Sequence, residues 1–281
     1  MMRYNEHDLD SRERALRASL AELGSVLVAY SGGTDSTYLL AVSLDELGSD
    51  RVLAVTADSP LTARAEVALA RTQAEALGAR LLVVRYDSLS DPAVVANGPD
   101  RCYHCKRDLF HSLLDIGRQQ GLAHVTSGEN ADDQHDYRPG RRACAELGIR
   151  APLAEIGLTK SEVRVLSRQR GLPTWDRPAA PCLATRFPYD TALTAEGLAR
   201  VEAAEARLQG EWGAIPLRVR DHFPLARIEI PPDEIARLAR PKARALAVRL
   251  LRELGYVYVT LDLAGYRMGS LNEVLAHTES H

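Results

Sequence analysis

Five residues, Val26 to Tyr30, run directly into Ser31-Gly32-Gly33-Thr34-Asp35-Ser36, and a helical stretch follows from Asp35 to Leu47, closed by Gly48. A buried strand that turns through paired glycines into a helix constrains the fold more than any other feature here. The pattern then repeats. Arg51 to Ala57 reads as a second buried strand, Leu61 to Leu77 as a helix stopped by Gly78, and Leu81 to Val84 as a third strand. Asp108 to Gln120 reads as a helix ended by Gly121, and His124 to Ser127 as a fourth strand. Thr159-Lys160-Ser161-Glu162 has capping-box spacing, so a helix is expected from there to Gly171. Buried strands alternating with helices imply a parallel sheet covered on both faces.

The pattern breaks between Leu172 and Asp190, a stretch with four prolines and neither a helical nor a strand period. A loop of that length belongs to a site or joins domains. Beyond it, Thr194 to Gln209 is helical, Leu217 to Arg220 and Ala226 to Ile230 read as strands, two helical stretches follow, and Tyr256 to Leu263 alternates like a strand. The expected fold class is α/β: a Rossmann-like parallel sheet over residues 1–180, then a smaller α+β domain over 181–281. The polar, amphipathic N-terminus reads as a first helix and lacks the apolar centre of a secretory signal.

Composition closes off several functions. With 46% hydrophobic and 26% charged residues the chain holds a real core. A formal net charge of -3 argues against broad, non-specific grip on nucleic acid, and lysines and arginines only balance acids between Thr194 and His281. No uninterrupted apolar stretch of about 18 residues is present, so no membrane span is expected. Four cysteines in 281 residues do not make a disulfide framework, so a reducing cytoplasm is the expected setting.

The loop after the first strand aims free backbone N–H groups and the positive end of a helix at one point, which suits phosphate. It lacks the Gly-Lys-Ser/Thr of a Walker loop and the G-x-G-x-x-G of a dinucleotide site. A bare Gly-Gly pair would be read as a turn. The complete SGGTDS after VLVAY, however, resembles the PP-loop signature of the N-type ATP pyrophosphatases, which cleave ATP between the α and β phosphates. That resemblance implies ATP on Ser31, Gly32, Gly33 and Ser36, with Asp35 helping to hold Mg²⁺. It also implies that Ala29, Ala57 and Gly128 border the nucleotide crevice beyond the strand ends.

Further motifs follow in order: Arg101-Cys102-Tyr103-His104-Cys105-Lys106, then SGENADDQHDYRPGRRA, RAPLAEIGLTKSEVR and GLPTWDRPAAPCLATR, with Leu217-Arg218-Val219-Arg220 and Gly265-Tyr266-Arg267 near the end. Together they resemble, over nearly the whole chain, the sulfur transferases that mature the nickel-pincer nucleotide of lactate racemase (the LarE family). The resemblance implies a pyridinium dicarboxylate mononucleotide as substrate, adenylation of its carboxylate, and displacement of AMP by sulfur to leave a thiocarboxylate. It also suggests a homo-oligomer. In the sacrificial members a cysteine matching Cys182 gives up its own sulfur. Cys102, Cys105 and Cys182 instead resemble the branch that binds a [4Fe–4S] cluster through three thiolates.

Other readings remain open. His104 between the cysteines leaves zinc possible, and Cys144 reads as a buried small apolar residue. Arg218 and Arg220 share a strand face and are candidates to clamp a phosphate, with the C-terminal domain then binding substrate phosphate. Lys106 is a candidate to stabilise the adenylate or a phosphate, while Arg138 and Arg186 are plausible substrate contacts. Glu229 reads by default as an ordinary surface charge. A tRNA thiolation enzyme and an ATP-dependent amide synthase using ammonia are the rival enzymes, and a non-enzymatic nucleotide sensor is a third class.

Overall fold

The computed structural model describes residues 6–134, 139–213, 215–267 and 269–273. Among them the chain forms two compact units, residues 1–94 with 99–180, and residues 95–98 with 181–281.

The first unit is a four-stranded parallel sheet in the order β3-β2-β1-β4. Its elements are α1 (Glu6–Leu23), β1 (Val26–Ala29), α2 (Thr34–Leu47), β2 (Val52–Asp58), α3 (Arg64–Ala76), β3 (Leu81–Arg85), a short turn α4 (Pro92–Val95), α5 (Arg101–Gln119), β4 (His124–Ser127), α6 (Pro139–Glu146), α7 (Pro152–Glu155) and α8 (Lys160–Gln169). Val95, the last residue of α4, falls in the second unit. β1 is central, pairing Val26–Ala29 with Val52–Val55 on one side and His124–Ser127 on the other. Side chains alternate across a strand, so successive residues of β1 enter opposite cores. Val28 joins Leu16, Leu39, Leu40 and Leu166 on one face, and Leu27 joins Phe110, Leu113 and Val125 on the other. The middle of α2, Tyr38 to Ser43, is buried all round, and most of its polar residues gather at the two ends.

The α/β expectation holds, with three local differences. α5 begins at Arg101, seven residues before the expected start, so Cys102 and Cys105 lie in its first two turns. The mixed polar run CYHCKR has no clear helical period, which is why the sequence alone misplaces that start. α3 begins at Arg64, because the Ser59 hydroxyl accepts the Leu61 N–H and holds residues 59–62 in a turn. The proline-rich stretch contains one 3₁₀ turn, Leu183–Arg186. The capping box is formed: Thr159 Oγ1 accepts the Glu162 N–H, and Glu162 Oε2 accepts the Thr159 N–H at 2.9 Å.

The second unit is a mixed sheet of β5 (Arg218–His222), β6 (Leu225–Glu229) and β7 (Tyr258–Leu261). β5 and β6 are antiparallel, β6 and β7 parallel. Against it pack α9 (Ala195–Trp212) and α11 (Pro241–Arg252), with the short α10 (Ile235–Leu238) between. Leu208, Trp212, Val219, Ile228, Leu251 and Tyr256 fill the core. Residues 95–98 belong here by hydrogen bonding: Leu193 N–H donates to Val95 C=O at 2.8 Å, and the buried Asn97 donates its Nδ2 to Pro188 C=O at 2.8 Å.

Candidate active site

The loop from β1 to α2 is built by backbone contact. Gly32 has φ +71°, and a Cβ there would stand 2.9 Å from Ala70 Cα on α3. Gly128, just past β4, approaches so closely that its Cβ would stand 2.8 Å from Ser36 N. Neither position accepts a side chain without displacing main chain. Within the loop Ser31 Oγ lies 3.0 Å from Ser36 Oγ, and Gly33 N–H donates to Ser31 Oγ at 3.3 Å. The N-cap of α2 is Gly33 itself, which has no side chain to close the helix end. First-turn N–H groups of an α-helix have no intrahelical acceptor, so this end is left to bind an anion. Ala29 ends β1 between Val55 and Ser127, and Ala57 lies near the end of β2 opposite Val84.

Asp35 carries the charge of the loop. Lys160 Nζ donates to its Oδ2 at 2.5 Å, while its buried Oδ1 has no hydrogen-bond partner among the described residues. Burial pushes this carboxyl above the ordinary aspartate range and Asp133 adds to the rise, against the pull of the Lys160 ammonium. A buried, unsatisfied carboxylate oxygen beside an open helix end suits a hard cation on a phosphate. The residues after β4 shape the surroundings. Lys160 N–H donates to Asp132 Oδ2 at 2.9 Å, and Asn130 N–H to Asp133 Oδ2 at 3.0 Å. The segment after Leu172 is anchored to α2, since Thr34 Oγ1 donates to Thr174 C=O at 2.7 Å. Sequence reasoning used Lys160 only as a capping-box position and passed over Asp133 and Glu129.

Lys106 projects from α5 and its Nζ donates to Glu129 Oε1 at 2.7 Å, so its charge is already matched. Cys144 reaches the same carboxylate at 3.5 Å, and burial pushes its thiol up to about 12. It stays protonated, in keeping with an apolar role. Cys102 and Cys105 are half-buried thiols outside any disulfide, one helical turn apart, with Arg101 Nη2 3.7 Å from Cys102 Sγ. His104 Nε2 lies 3.1 Å from Asp100 Oδ2. Among the described residues no three His, Cys, Asp or Glu side chains gather as a metal site. Arg138 lies outside the described residues.

In the second unit Cys182 is a half-buried free thiol at the N-cap of the 3₁₀ turn. Arg186 forms a bidentate pair with Glu205 (2.9 and 2.8 Å) and donates through Nη1 to Pro181 C=O at 2.9 Å and Cys182 C=O at 3.2 Å. Arg220 is buried, donating to Glu229 at 2.6 Å, to Thr185 C=O at 2.6 Å and to Ser270 Oγ at 3.1 Å. Glu229, expected on the surface, is instead 1% exposed and shared between Arg220 and Arg227. Arg218 is the more open member of its pair: it donates to Leu217 C=O at 2.7 Å, and burial, then the Arg186 cation, lower its pKa. Of the two arginines expected to clamp a phosphate, Arg220 is the one committed to buried partners.

A parallel sheet whose central strand delivers an uncapped glycine loop and a half-buried aspartate is the arrangement expected of an ATP-using enzyme of the PP-loop class. Similarity narrows this. No family model matches the chain. It is 43% identical over 267 residues to an uncharacterised protein of Synechocystis, spanning 95% of this chain and 99% of that one. It is 40% identical over 271 residues to the pyridinium-3,5-bisthiocarboxylic acid mononucleotide synthase of Lactiplantibacillus plantarum, covering 96% of this chain and 97% of the relative. An argininosuccinate synthase of Natronomonas pharaonis is 28% identical over 165 residues, 55% of this chain and 41% of its own. The chain belongs to the pyridinium-3,5-bisthiocarboxylic acid mononucleotide synthase family. No described helix is long and apolar enough to cross a membrane.

Proposed function

We propose that this enzyme adenylates a carboxylate of a pyridinium dicarboxylate mononucleotide and converts it to a thiocarboxylate. The observation that carries the ATP step is the uncapped end of α2 beside the orphaned Asp35 Oδ1. The substrate follows the name of the Lactiplantibacillus relative. A carboxylate oxygen attacks the α-phosphorus and pyrophosphate leaves. Ser31, Gly32, Gly33 and Ser36 hold phosphate oxygens, Asp35 would hold Mg²⁺, which would supply charge neutralisation at the phosphates, and Lys160 balances the charge that builds there. Ala29, Ala57 and Gly128 border the nucleotide. Sulfur then attacks the acyl carbon and AMP departs, a far better leaving group than a carboxylate oxygen. Arg218 is the stronger candidate for the substrate phosphate, with Arg220 bracing the turn behind it. Lys106, already paired with Glu129, acts by charge near α5 and not as a free donor.

For the sulfur, the donor set fits a cluster by its chemistry: Cys102, Cys105 and Cys182 are three thiols, none in a disulfide, and the first two sit one helical turn apart. These three thiolates would hold a [4Fe–4S] cluster with one iron left open, and that group would supply sulfur for repeated turnover. The alternative is that Cys182 is sacrificed: its sulfur attacks the acyl carbon, and loss of the Cα proton then breaks the Cβ–S bond to leave dehydroalanine. Anaerobic purification decides between them. About four irons per chain with a broad visible band, lost in Cys102→Ala, establishes the cluster; an iron-free protein whose Cys182 peptide loses H₂S during reaction establishes sacrifice. A Cys182→Ala variant with full activity would return the amide-synthase reading. We also propose a cytoplasmic homo-oligomer, which sedimentation tests.

A further inference from the structure

We infer that Arg186, held by Glu205, is the residue that positions the Cys182 thiol; this rests on the proposed role of Cys182 in sulfur delivery. The Cys182 carbonyl accepts three donors: Thr185 N–H at 3.0 Å, Thr185 Oγ1 at 2.8 Å and Arg186 Nη1 at 3.2 Å. Arg186 Nη1 also holds the preceding carbonyl, Pro181, at 2.9 Å. The peptide planes on both sides of Cys182 are therefore fixed, at φ -59° and ψ 154°. Only χ1 remains, and it has three staggered wells.

The arginine is itself fixed. Its Nε and Nη2 grip both oxygens of Glu205, and Glu205 Oε1 accepts the Val219 N–H of β5 at 3.0 Å. Arg186 is 5% exposed and Glu205 8%, so the guanidinium is committed to main chain and carboxylate, not presented to an incoming anion. A buried pair of this kind is poor evidence for stability in itself. What distinguishes it is its aim: the remaining donors go to the two carbonyls that flank the cysteine nitrogen and carbon. Arg186 thus acts through Cys182 and is not a substrate contact.

The test uses the full chain carrying Glu205→Gln, Arg186→Lys, Thr185→Val or Cys182→Ala. Two quantities are read: saturation of thiocarboxylate formation with the pyridinium dicarboxylate mononucleotide, and the iodoacetamide alkylation of Cys182 relative to Cys102 in the same iron-free sample, by peptide mass spectrometry. Misplacement of a reacting group by an ångström costs on the order of 10²-fold in rate. Glu205→Gln is expected to lower the maximal rate by about that factor with the half-saturating concentration unchanged, and to shift the Cys182:Cys102 alkylation ratio. Arg186→Lys, which keeps the charge but not the fork, is expected to do the same. Thr185→Val, a mild change should the others fold poorly, is expected to move both readouts in the same direction by less. A raised half-saturating concentration at unchanged maximal rate would make Arg186 a substrate contact and overturn the inference, as would an unchanged alkylation ratio in folded variants. Full activity of Cys182→Ala would instead overturn the parent reading, while the alkylation ratio would still decide whether Arg186 orients the thiol.

Discussion

The PP-loop and the Cys182 turn are made rigid by opposite means. The loop is held by backbone in contact with backbone: Gly32 against Ala70, Gly128 against Ser36, and a helix end that no side chain closes. The turn is held by long side chains reaching into buried ion pairs, Arg186 with Glu205 and Arg220 with Glu229. The first device leaves amides free for an anion and tolerates no added atoms. The second consumes its own charges to fix carbonyls, and tolerates conservative volume changes better than the loss of one partner.

The largest effect that tests this contrast is at the thiol the turn presents. Cys182→Ala should abolish thiocarboxylate formation while ATP-dependent pyrophosphate release continues, measured in parallel; simultaneous loss of both would mean the two regions do not divide the chemistry. Next, Arg220→Ala leaves Glu229 buried with only Arg227, and removing one partner of a buried pair costs about 3–5 kcal/mol. Urea unfolding should show a destabilisation of that order. The complementary change in the other region is Gly128→Ala, which adds a methyl where only main chain fits. Pyrophosphate release should fall about 10²-fold with a smaller change in unfolding midpoint, so a variant that merely unfolds would blur the comparison. Thr159→Ala removes the N-cap of the helix that presents Lys160, and should cost about 1 kcal/mol together with weaker ATP binding.

The smallest effect is a titration. The Cys144 thiol, raised by burial to about 12 from an ordinary 9.0, keeps its proton in the folded state over a range where the unfolded chain loses it. Its contribution is therefore complete below pH 9 and declines as pH climbs from 9 toward 12. Cys144→Ala should flatten that part of the stability profile. Alkylation of native Cys144 at pH 8 should be far slower than in urea; equal rates would show the site to be open.

The same contrast explains what the sequence made legible. Strands β1 to β4, the helices between them and the loop glycines were readable because each needs a particular residue type at adjacent positions. Glu205 was not, because its partners lie 14 and 19 residues away and on α9 it looks like any helix glutamate. Glu229 was misread as a surface charge for the same reason. Lys160 was visible only as the first residue after a cap, since nothing local announces that its Nζ meets Asp35 across 125 positions. The α5 start is hidden because the polar run Arg101 to Lys106 interrupts the apolar period that marks a helix. Arg218 and Arg220 were seen as a pair by spacing, yet spacing carries no information on which one a buried acid has claimed.

Val95–Gly98 brings a practical consequence for anyone dividing this gene. A fragment expressed from Pro181 onward would lack the chain that satisfies Leu193, Asp190 and Pro188. It would begin its life with exposed main-chain donors next to the start of α9, and would be prone to capture a stray strand of another molecule in their place. A separable version needs residues 95–98 returned as a covalent extension or a supplied peptide.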